Sequence, residues 1–249
     1  MNNRSRKTVR KGFDICFLGL VALGGMAAVP FGFSQTVDVT ARVEVTRQHR
    51  HEHPVHASPG DVVVWLTPLQ TIQSLPETRK QVYTLAQKNK QFTPHILVVP
   101  TGSSVNFPNL DPFFHNVFSL FDGKRFDLGL YEAHTRRVVQ FDREGVSYIF
   151  CNIHPEMGAV VVSLSTPYYG VSTEEGTVVL HDVPPGSYRL NVWAENVGRD
   201  LLNALSRTVE ISGRDSQLGT LELQTSGDIM NHHENKFGES YAPVSKDPY

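Results

Sequence analysis

The residues best suited to chemistry are a cysteine, a histidine and a methionine that lie close together in the chain. Cys151, His154 and Met157 have the spacing C-x2-H-x2-M, and short β-forming stretches precede and follow them. A second histidine, His115, stands directly before another such stretch. A thiolate, two imidazoles and a weak thioether are the ligands of a blue-copper electron-transfer site. The pattern therefore predicts one type 1 copper ion bound by His115, Cys151, His154 and Met157.

Two other interpretations of these donors stay open. Zinc could occupy the same ligands, because the affinity order of divalent metals separates copper from zinc only in part, although a thioether is uncommon in a zinc site. A buried cysteine that binds nothing is also ordinary in proteins. The only other cysteine is Cys16, near the N-terminus. If that segment is removed, Cys151 has no disulfide partner in the chain, and bound copper would explain a lone thiol in an oxidising compartment.

The N-terminus predicts export from the cytoplasm. Residues 1–34 carry five bases ahead of an apolar run at 15–29, which Gly24 and Gly25 interrupt. That run is shorter than the roughly 20 residues of a membrane-spanning helix, and Gly32-Phe33-Ser34 supplies the small residues of a cleavage site. These features are typical of a secretory signal peptide and predict a periplasmic protein, with a retained membrane anchor as the alternative.

The charge of the chain argues against a nucleic-acid partner. The whole sequence has 23 basic and 25 acidic residues, for a formal net charge of −2. Without residues 1–34 it has 18 bases and 24 acids, for a net charge of −6. Nucleic-acid binding needs a basic surface, whereas an acidic one steers cationic partners by long-range attraction.

Beyond residue 35 the chain has the pattern of an all-β protein. Short runs of β-branched and aromatic residues alternate with Pro, Gly, Asn and Asp, and many short strands at this spacing favour β-sandwiches over βαβ units. Helical turns are predicted only within 70–82 and 198–206. The predicted strands are 37–45, 61–66, 96–99, 104–107, 116–120, 125–130, 137–141, 147–151, 159–164, 177–180, 188–193, 206–211 and 219–223.

Residues 82–165 resemble a cupredoxin of the plastocyanin–amicyanin type. The similarity rests on Phe-Thr-Pro at 92–94, Leu-Val-Val-Pro at 97–100, Val-Asn-Phe at 105–107, His115-Asn116, and a short ligand loop with Pro155 after its histidine. It extends to exported cupredoxins labelled methylamine-utilization proteins. The resemblance implies a Greek-key β-sandwich with one copper ion and the four ligands named above.

The same resemblance implies roles for residues around the ligands. Asn116 would tie the two ligand loops together, as an orienting residue beside a metal site does. His154 would be the more exposed ligand and would project through an apolar docking surface. In this sequence that surface would consist of Phe113, Phe114 and Pro155.

A second β-sandwich is predicted from the two ends of the chain. Val178 to Leu190, with the turn Pro184-Pro185-Gly186 before Tyr188, resembles a carboxypeptidase regulatory-like domain of the transthyretin type. Residues 166–225 hold about four predicted strands, too few for such a sandwich, and the strands near 37–45 and 61–66 would complete it. We therefore predict a discontinuous domain, 36–70 with 166–225, around a cupredoxin domain at 82–165, followed by a flexible tail at 226–249.

Two classes of function follow from this organisation. The first is a periplasmic electron carrier that exchanges one electron with a redox protein of positive charge. The second is a copper-binding or partner-binding scaffold, which the His-rich stretch 49–56 favours modestly. An enzyme is not expected, because the sequence shows no second set of copper ligands, no Ser/His/Asp set and no pair of catalytic acids.

Overall fold

The computed structural model describes residues 36–47, 58–70, 81–120, 123–213, 216–225 and 234–241. Within these ranges the chain is almost entirely β-structure, which confirms the predicted all-β class. The single helix among them, α1, falls in the predicted stretch 198–206. The elements are β1 (Val37–Arg47), β2 (Val63–Pro68), β3 (Val82–Thr84), β4 (Ala86–Lys88), β5 (Gln91–Thr93), β6 (Ile96–Pro100), β7 (Ser103–Pro108), β8 (His115–Ser119), β9 (Phe126–Tyr131), β10 (Arg136–Phe141), β11 (Gly145–Phe150), β12 (Gly158–Leu164), β13 (Tyr169–Val171), β14 (Thr177–Val183), β15 (Gly186–Trp193), α1 (Arg199–Leu205), β16 (Arg207–Ile211) and β17 (Gln217–Thr225).

Some predictions concern residues outside these ranges. They are the signal peptide at 1–34, the histidine-rich stretch at 49–56, most of the helical stretch predicted at 70–82, and residues 226–233 and 242–249 of the predicted tail. In the described part of the chain, no helix is long and apolar enough to cross a membrane.

The predicted metal ligands belong to a sandwich of two sheets, here called the first sandwich. One sheet has the strand order β6-β12-β11-β8-β9, and the other has the order β10-β7-β3. On β7 every second residue is buried, the period of a strand with one face on a core. The core between the sheets contains Leu85, Phe92, Val99, Val105, Phe107, Val117, Tyr131, Val139, Phe141, Ile149, Cys151, Met157, Ala159 and Val161.

The remaining strands form a second sandwich from both ends of the chain. Its sheets have the orders β14-β1-β17 and β13-β2-β15-β16. Val39 of β1 lies opposite Leu180, and Val64 of β2 lies opposite Val192. The predicted pairing of the two early strands with the late ones is therefore confirmed. The division into domains and the transthyretin type of this sandwich stay predictions.

A third apolar cluster joins the two sandwiches, and we call it the shared cluster. Val63 and Trp193 of the second sandwich pack there with Val98, Val160, Val162 and Leu164 of the first. Strand β12 is buried on both faces, since Ala159 and Val161 face the first core while their neighbours face the shared cluster. This explains why residues 159–164 read as an almost unbroken apolar run. Next to the cluster, His95 Nε2 lies 2.9 Å from Glu195 Oε2.

Candidate metal centre

The backbone brings three of the predicted ligands to one end of the first sandwich. His115 is the first residue of β8, Cys151 follows β11 directly, and Met157 directly precedes β12. Because β11 and β12 are antiparallel neighbours, with Phe150 opposite Gly158, the loop between them must return on itself. Two backbone hydrogen bonds close it, from the Cys151 N–H to the Met157 carbonyl at 3.2 Å and from the Met157 N–H to the His154 carbonyl at 3.1 Å.

The Cys151 sulfur and one ring nitrogen each of His115 and His154 are arranged so that they fit one metal ion. Cys151 Sγ lies 3.7 Å from His115 Nδ1 and 3.6 Å from His154 Nδ1. Donor atoms that bind a common ion at about 2.0–2.3 Å, with trigonal to tetrahedral angles, lie about 3.6–3.8 Å apart. Sulfur and both nitrogens all fall within 4.8 Å of one another. His115, Cys151 and His154 can therefore hold a metal ion without a large rearrangement.

Burial favours the uncharged form of all three groups. It raises the pKa of the Cys151 thiol, against the opposing effect of hydrogen bonds from the backbone N–H groups of Asn116, Ile153 and His154. Burial also lowers the pKa of His115 and of His154, and for His154 the nearby charge of His115 acts in the same direction. Both imidazoles are therefore neutral near pH 7, the form that binds metals, and metal binding would expel the thiol proton.

Asp111 orients the His115 ring, and sequence reasoning did not assign it this role. Its Oδ2 lies 2.9 Å from His115 Nε2, so the ring donates there and leaves Nδ1 to face the Cys151 sulfur. The backbone N–H groups of Asn89 and Lys90 donate to the same carboxylate, at 2.6 and 3.0 Å. Burial alone would raise the pKa of Asp111, but hydrogen bonds from Lys90, His115 and Asn89 together lower it. The carboxylate is thus charged and anchored on two sides.

Replacing Asp111 with asparagine should weaken metal binding. The amide can present its NH2 group to His115 Nε2, which favours the tautomer with the proton on Nδ1, the nitrogen that faces Cys151. We expect Asp111→Asn to lower the affinity for copper, the metal predicted from the sequence, by about 10–100-fold. A competition titration against a chelator measures it. Asp142→Asn, which removes an exposed carboxylate paired with Lys124, is the control. Equal affinities for the two variants would contradict this role of Asp111.

Met157 and Asn116 take different places around these donors. Met157 is fully buried and belongs to the same core cluster as Cys151. The Asn116 side-chain amide donates to Asp127 Oδ1 on β9, at 2.8 Å, whereas its backbone N–H lowers the pKa of the Cys151 thiol. The role that the resemblance implies for Asn116, a link between the two ligand loops, stays a prediction.

Of the predicted docking residues, Phe113 lies against two of the predicted ligands. The Phe113 ring lies 5.2 Å from the His115 ring and 5.6 Å from the His154 ring, measured between centroids. Phe114 is 53 % exposed, and His154 and Pro155 are half-buried. The His154 ring is therefore partly accessible and packs on an aromatic neighbour.

Residues 234–241, part of the predicted flexible tail, lie against the loop from Cys151 to Met157, here called the metal loop. The Tyr241 hydroxyl donates to the Cys151 carbonyl at 2.8 Å, and the Lys236 N–H donates to Asn152 Oδ1 at 2.9 Å. The Lys236 ammonium also donates to Asp127 Oδ2 at 2.7 Å. Residues 234–241 are polar and have no periodicity, so only these long-range hydrogen bonds reveal their position.

Comparisons with known proteins find only distant similarities, all of them to solved structures. The sequence matches no protein-family model, and no curated protein matches it significantly. A purple cupredoxin from Nitrosopumilus maritimus is similar in structure, with 23 % identity and a TM-score of 0.30, over 33 % of this chain and 99 % of that one. An amicyanin variant in the Cu(I) state has 18 % identity and a TM-score of 0.32, over 35 % and 87 % of the two chains. The copper-containing nitrite reductase of Thermus scotoductus has 19 % identity and a TM-score of 0.32, over 48 % of this chain but only 28 % of the enzyme.

Proposed function

We propose that this protein is a type 1 copper protein that passes single electrons to and from a redox protein in the periplasm. The observation that carries the proposal is the convergence of one thiol and two neutral imidazoles, with 3.6 and 3.7 Å between sulfur and nitrogen, at a buried point. Copper, when bound, would supply the redox chemistry by alternating between Cu(II) and Cu(I). The periplasmic location is proposed from the N-terminal sequence, which has the features of a secretory signal peptide.

The chemistry of the donors favours copper over zinc. Thiolate and thioether ligands are soft, and a His2Cys set with a weak axial methionine suits both oxidation states of copper. A dedicated zinc site rarely uses a thioether, and Met157 is fully buried next to Cys151 in the same core. We propose Met157 as the weak fourth ligand on this basis.

The rigidity of the site supports electron transfer rather than storage alone. Asp111 fixes the His115 ring, and the loop from Cys151 to Met157 is closed by its own backbone hydrogen bonds. Ligands held in one arrangement change little when an electron arrives or leaves, and such preorganisation lowers the cost of the transfer. Among the described residues, the group of His, Cys, Asp or Glu side chains that could hold a metal ion consists of His115, Cys151 and His154.

The route for the electron would pass through the His154 ring to the apolar docking surface of Phe113, Phe114 and Pro155. A small apolar face suits a partner that must dock and leave quickly. The net charge of −6 after residue 34 favours a cationic partner. Close to the site, Lys90 Nζ lies 5.5 Å from the Phe113 ring centroid and opposes that attraction locally.

Electrochemistry and electron exchange test this function. We expect reversible one-electron voltammetry of the copper-loaded protein and rapid exchange with a cationic redox protein, slowed by added salt. Phe114→Ala should slow the exchange several-fold without changing copper affinity, because its side chain is exposed and it directly precedes His115 in the chain. Leu69→Ala is the matched control, since Leu69 is 52 % exposed and lies on the second sandwich. An irreversible copper centre, or equal exchange rates for both variants, would favour the scaffold function instead.

A further inference from the structure

Residues 234–241 contact the metal loop on the side of Cys151 and Asn152, and they also contact β9. We propose that this segment, here called the C-terminal strap, is a working part of the metal centre. Tyr241 and Lys236 would act as positioning residues that hold the loop around the Cys151 sulfur and raise the reduction potential. The effect on the potential rests on the proposed function, whereas the effect on the loop does not.

Tyr241 fixes the start of the metal loop. Its hydroxyl donates to the carbonyl of Cys151 itself, 90 positions earlier in the chain. That carbonyl belongs to the peptide between Cys151 and Asn152, so the hydrogen bond sets the plane of the first peptide after the ligand. The next two N–H groups, of Ile153 and His154, lower the pKa of the cysteine thiol and so favour the thiolate. Their direction depends on how the chain leaves Cys151, and therefore on the Tyr241 contact.

Lys236 connects the two segments that carry the ligands. Its backbone N–H donates to Asn152 Oδ1 in the metal loop, and its ammonium donates to Asp127 Oδ2 on β9. The other oxygen of Asp127 accepts the side-chain amide of Asn116, the neighbour of His115. One residue of the strap thereby links the His115 side of the site to the Cys151 side. Its ammonium is mostly covered, with 22 % of the side chain exposed.

These contacts bear on the potential in the same direction. Hydrogen bonds to the cysteine sulfur tune the potential of a blue-copper site, because they withdraw electron density from the thiolate and favour the reduced metal. A nearby positive charge also favours the state with less positive charge. Loss of the strap contacts should therefore lower the reduction potential.

Point variants separate these contributions. Tyr241→Phe removes the hydroxyl and keeps the ring, while Lys236→Met removes the charge and keeps the backbone N–H. Lys236→Arg should keep the contact with Asp127, because the arginine side chain is also positively charged and binds carboxylates well. Glu239→Gln is the control within the strap, since its side chain is exposed and its backbone pairs with Asn235.

Two measurements on each full-length variant test the proposal. The first is the reduction potential of the copper-loaded protein. We expect it to fall in Tyr241→Phe and in Lys236→Met, and to stay near the wild-type value in Lys236→Arg and Glu239→Gln. The second is the rate at which iodoacetamide alkylates Cys151 in the metal-free protein, read from the peptide that contains it. Cys151 is fully buried, so the reagent needs an opened loop, and loss of one hydrogen bond should speed alkylation about three- to tenfold.

The two measurements distinguish a failure of the proposed function from a failure of the strap proposal. If the wild-type protein shows no reversible copper couple, the proposed function is wrong, and the alkylation rates still decide whether the strap holds the loop. If the wild type has the expected couple but Tyr241→Phe and Lys236→Met match it in potential and in alkylation rate, the strap proposal is overturned. A change in alkylation with an unchanged potential would overturn the proposed effect of the strap on the metal.

Discussion

We expect Cys151→Ser to abolish the intense visible absorption of the copper-loaded protein. The colour of a blue-copper site comes from charge transfer between a thiolate and Cu(II), and a serine hydroxyl supplies neither the charge nor the covalent bond. Cys151 Sγ is also the atom that both imidazole nitrogens approach, at 3.6 and 3.7 Å. We expect complete loss of the charge-transfer band from the visible spectrum and of the type 1 copper signal from the EPR spectrum.

Met157→Leu is the matched control for this prediction. Leucine has a similar volume and is tolerated in a core, so the fully buried position stays filled. We expect the colour to persist and the reduction potential to shift, because the axial ligand tunes the potential. A colourless wild-type protein with an ordinary tetragonal EPR signal would show that the type 1 assignment is wrong.

We expect residues 166–249, expressed alone, not to fold. In the second sandwich β1 lies between β14 and β17, and β2 lies between β13 and β15, so both sheets lose an inner strand. The missing stretches hold five Val and Leu side chains of the core, namely Val39, Val43, Val62, Val64 and Leu66. Burial of five such side chains contributes about 8–15 kcal/mol, which is as large as the net stability of a whole domain.

Circular dichroism and thermal unfolding check this prediction. We expect no cooperative transition from residues 166–249, and a cooperative one from residues 36–249, the matched control that keeps both early strands. A stable β-fold in the shorter piece would contradict the discontinuous arrangement.

The cupredoxin domain predicted at 82–165 should be less stable when it is expressed alone, because it would lose one side of the shared cluster. Val98, Val160, Val162 and Leu164 would lose their apolar partners Val63 and Trp193.

The sequence was most informative for elements that depend on residues close together in the chain. Long strands such as β1 and β15 follow from alternating or apolar runs, and the C-x2-H-x2-M spacing places two donors in one tight loop. The four strands that were not predicted, β3, β4, β5 and β13, have three residues each. Three residues are too few to display a period of two, and such strands form because neighbouring strands offer them hydrogen-bond partners.

The surroundings of the donors were harder to predict than the donors themselves. Asp111 precedes His115 by four residues in a loop, where this spacing carries no structural meaning, unlike in a helix. The strap depends on single hydrogen bonds across 84 to 109 positions of the chain. Contacts of this kind leave no periodicity and no composition signal, so tertiary structure alone reveals them.

The shared cluster gives the metal centre an influence beyond its own loop. Strand β12 begins next to Met157 and has its other face packed on Val63 and Trp193 of the second sandwich. A ligand that binds only the folded protein stabilises it by about 4 kcal/mol when its concentration is a thousand times its dissociation constant. Unfolding of either sandwich would expose the apolar side chains of the shared cluster. Metal binding to the first sandwich would therefore also stabilise the second sandwich against unfolding. Copper loading would thus protect strands far from the ligands against heat and proteolysis.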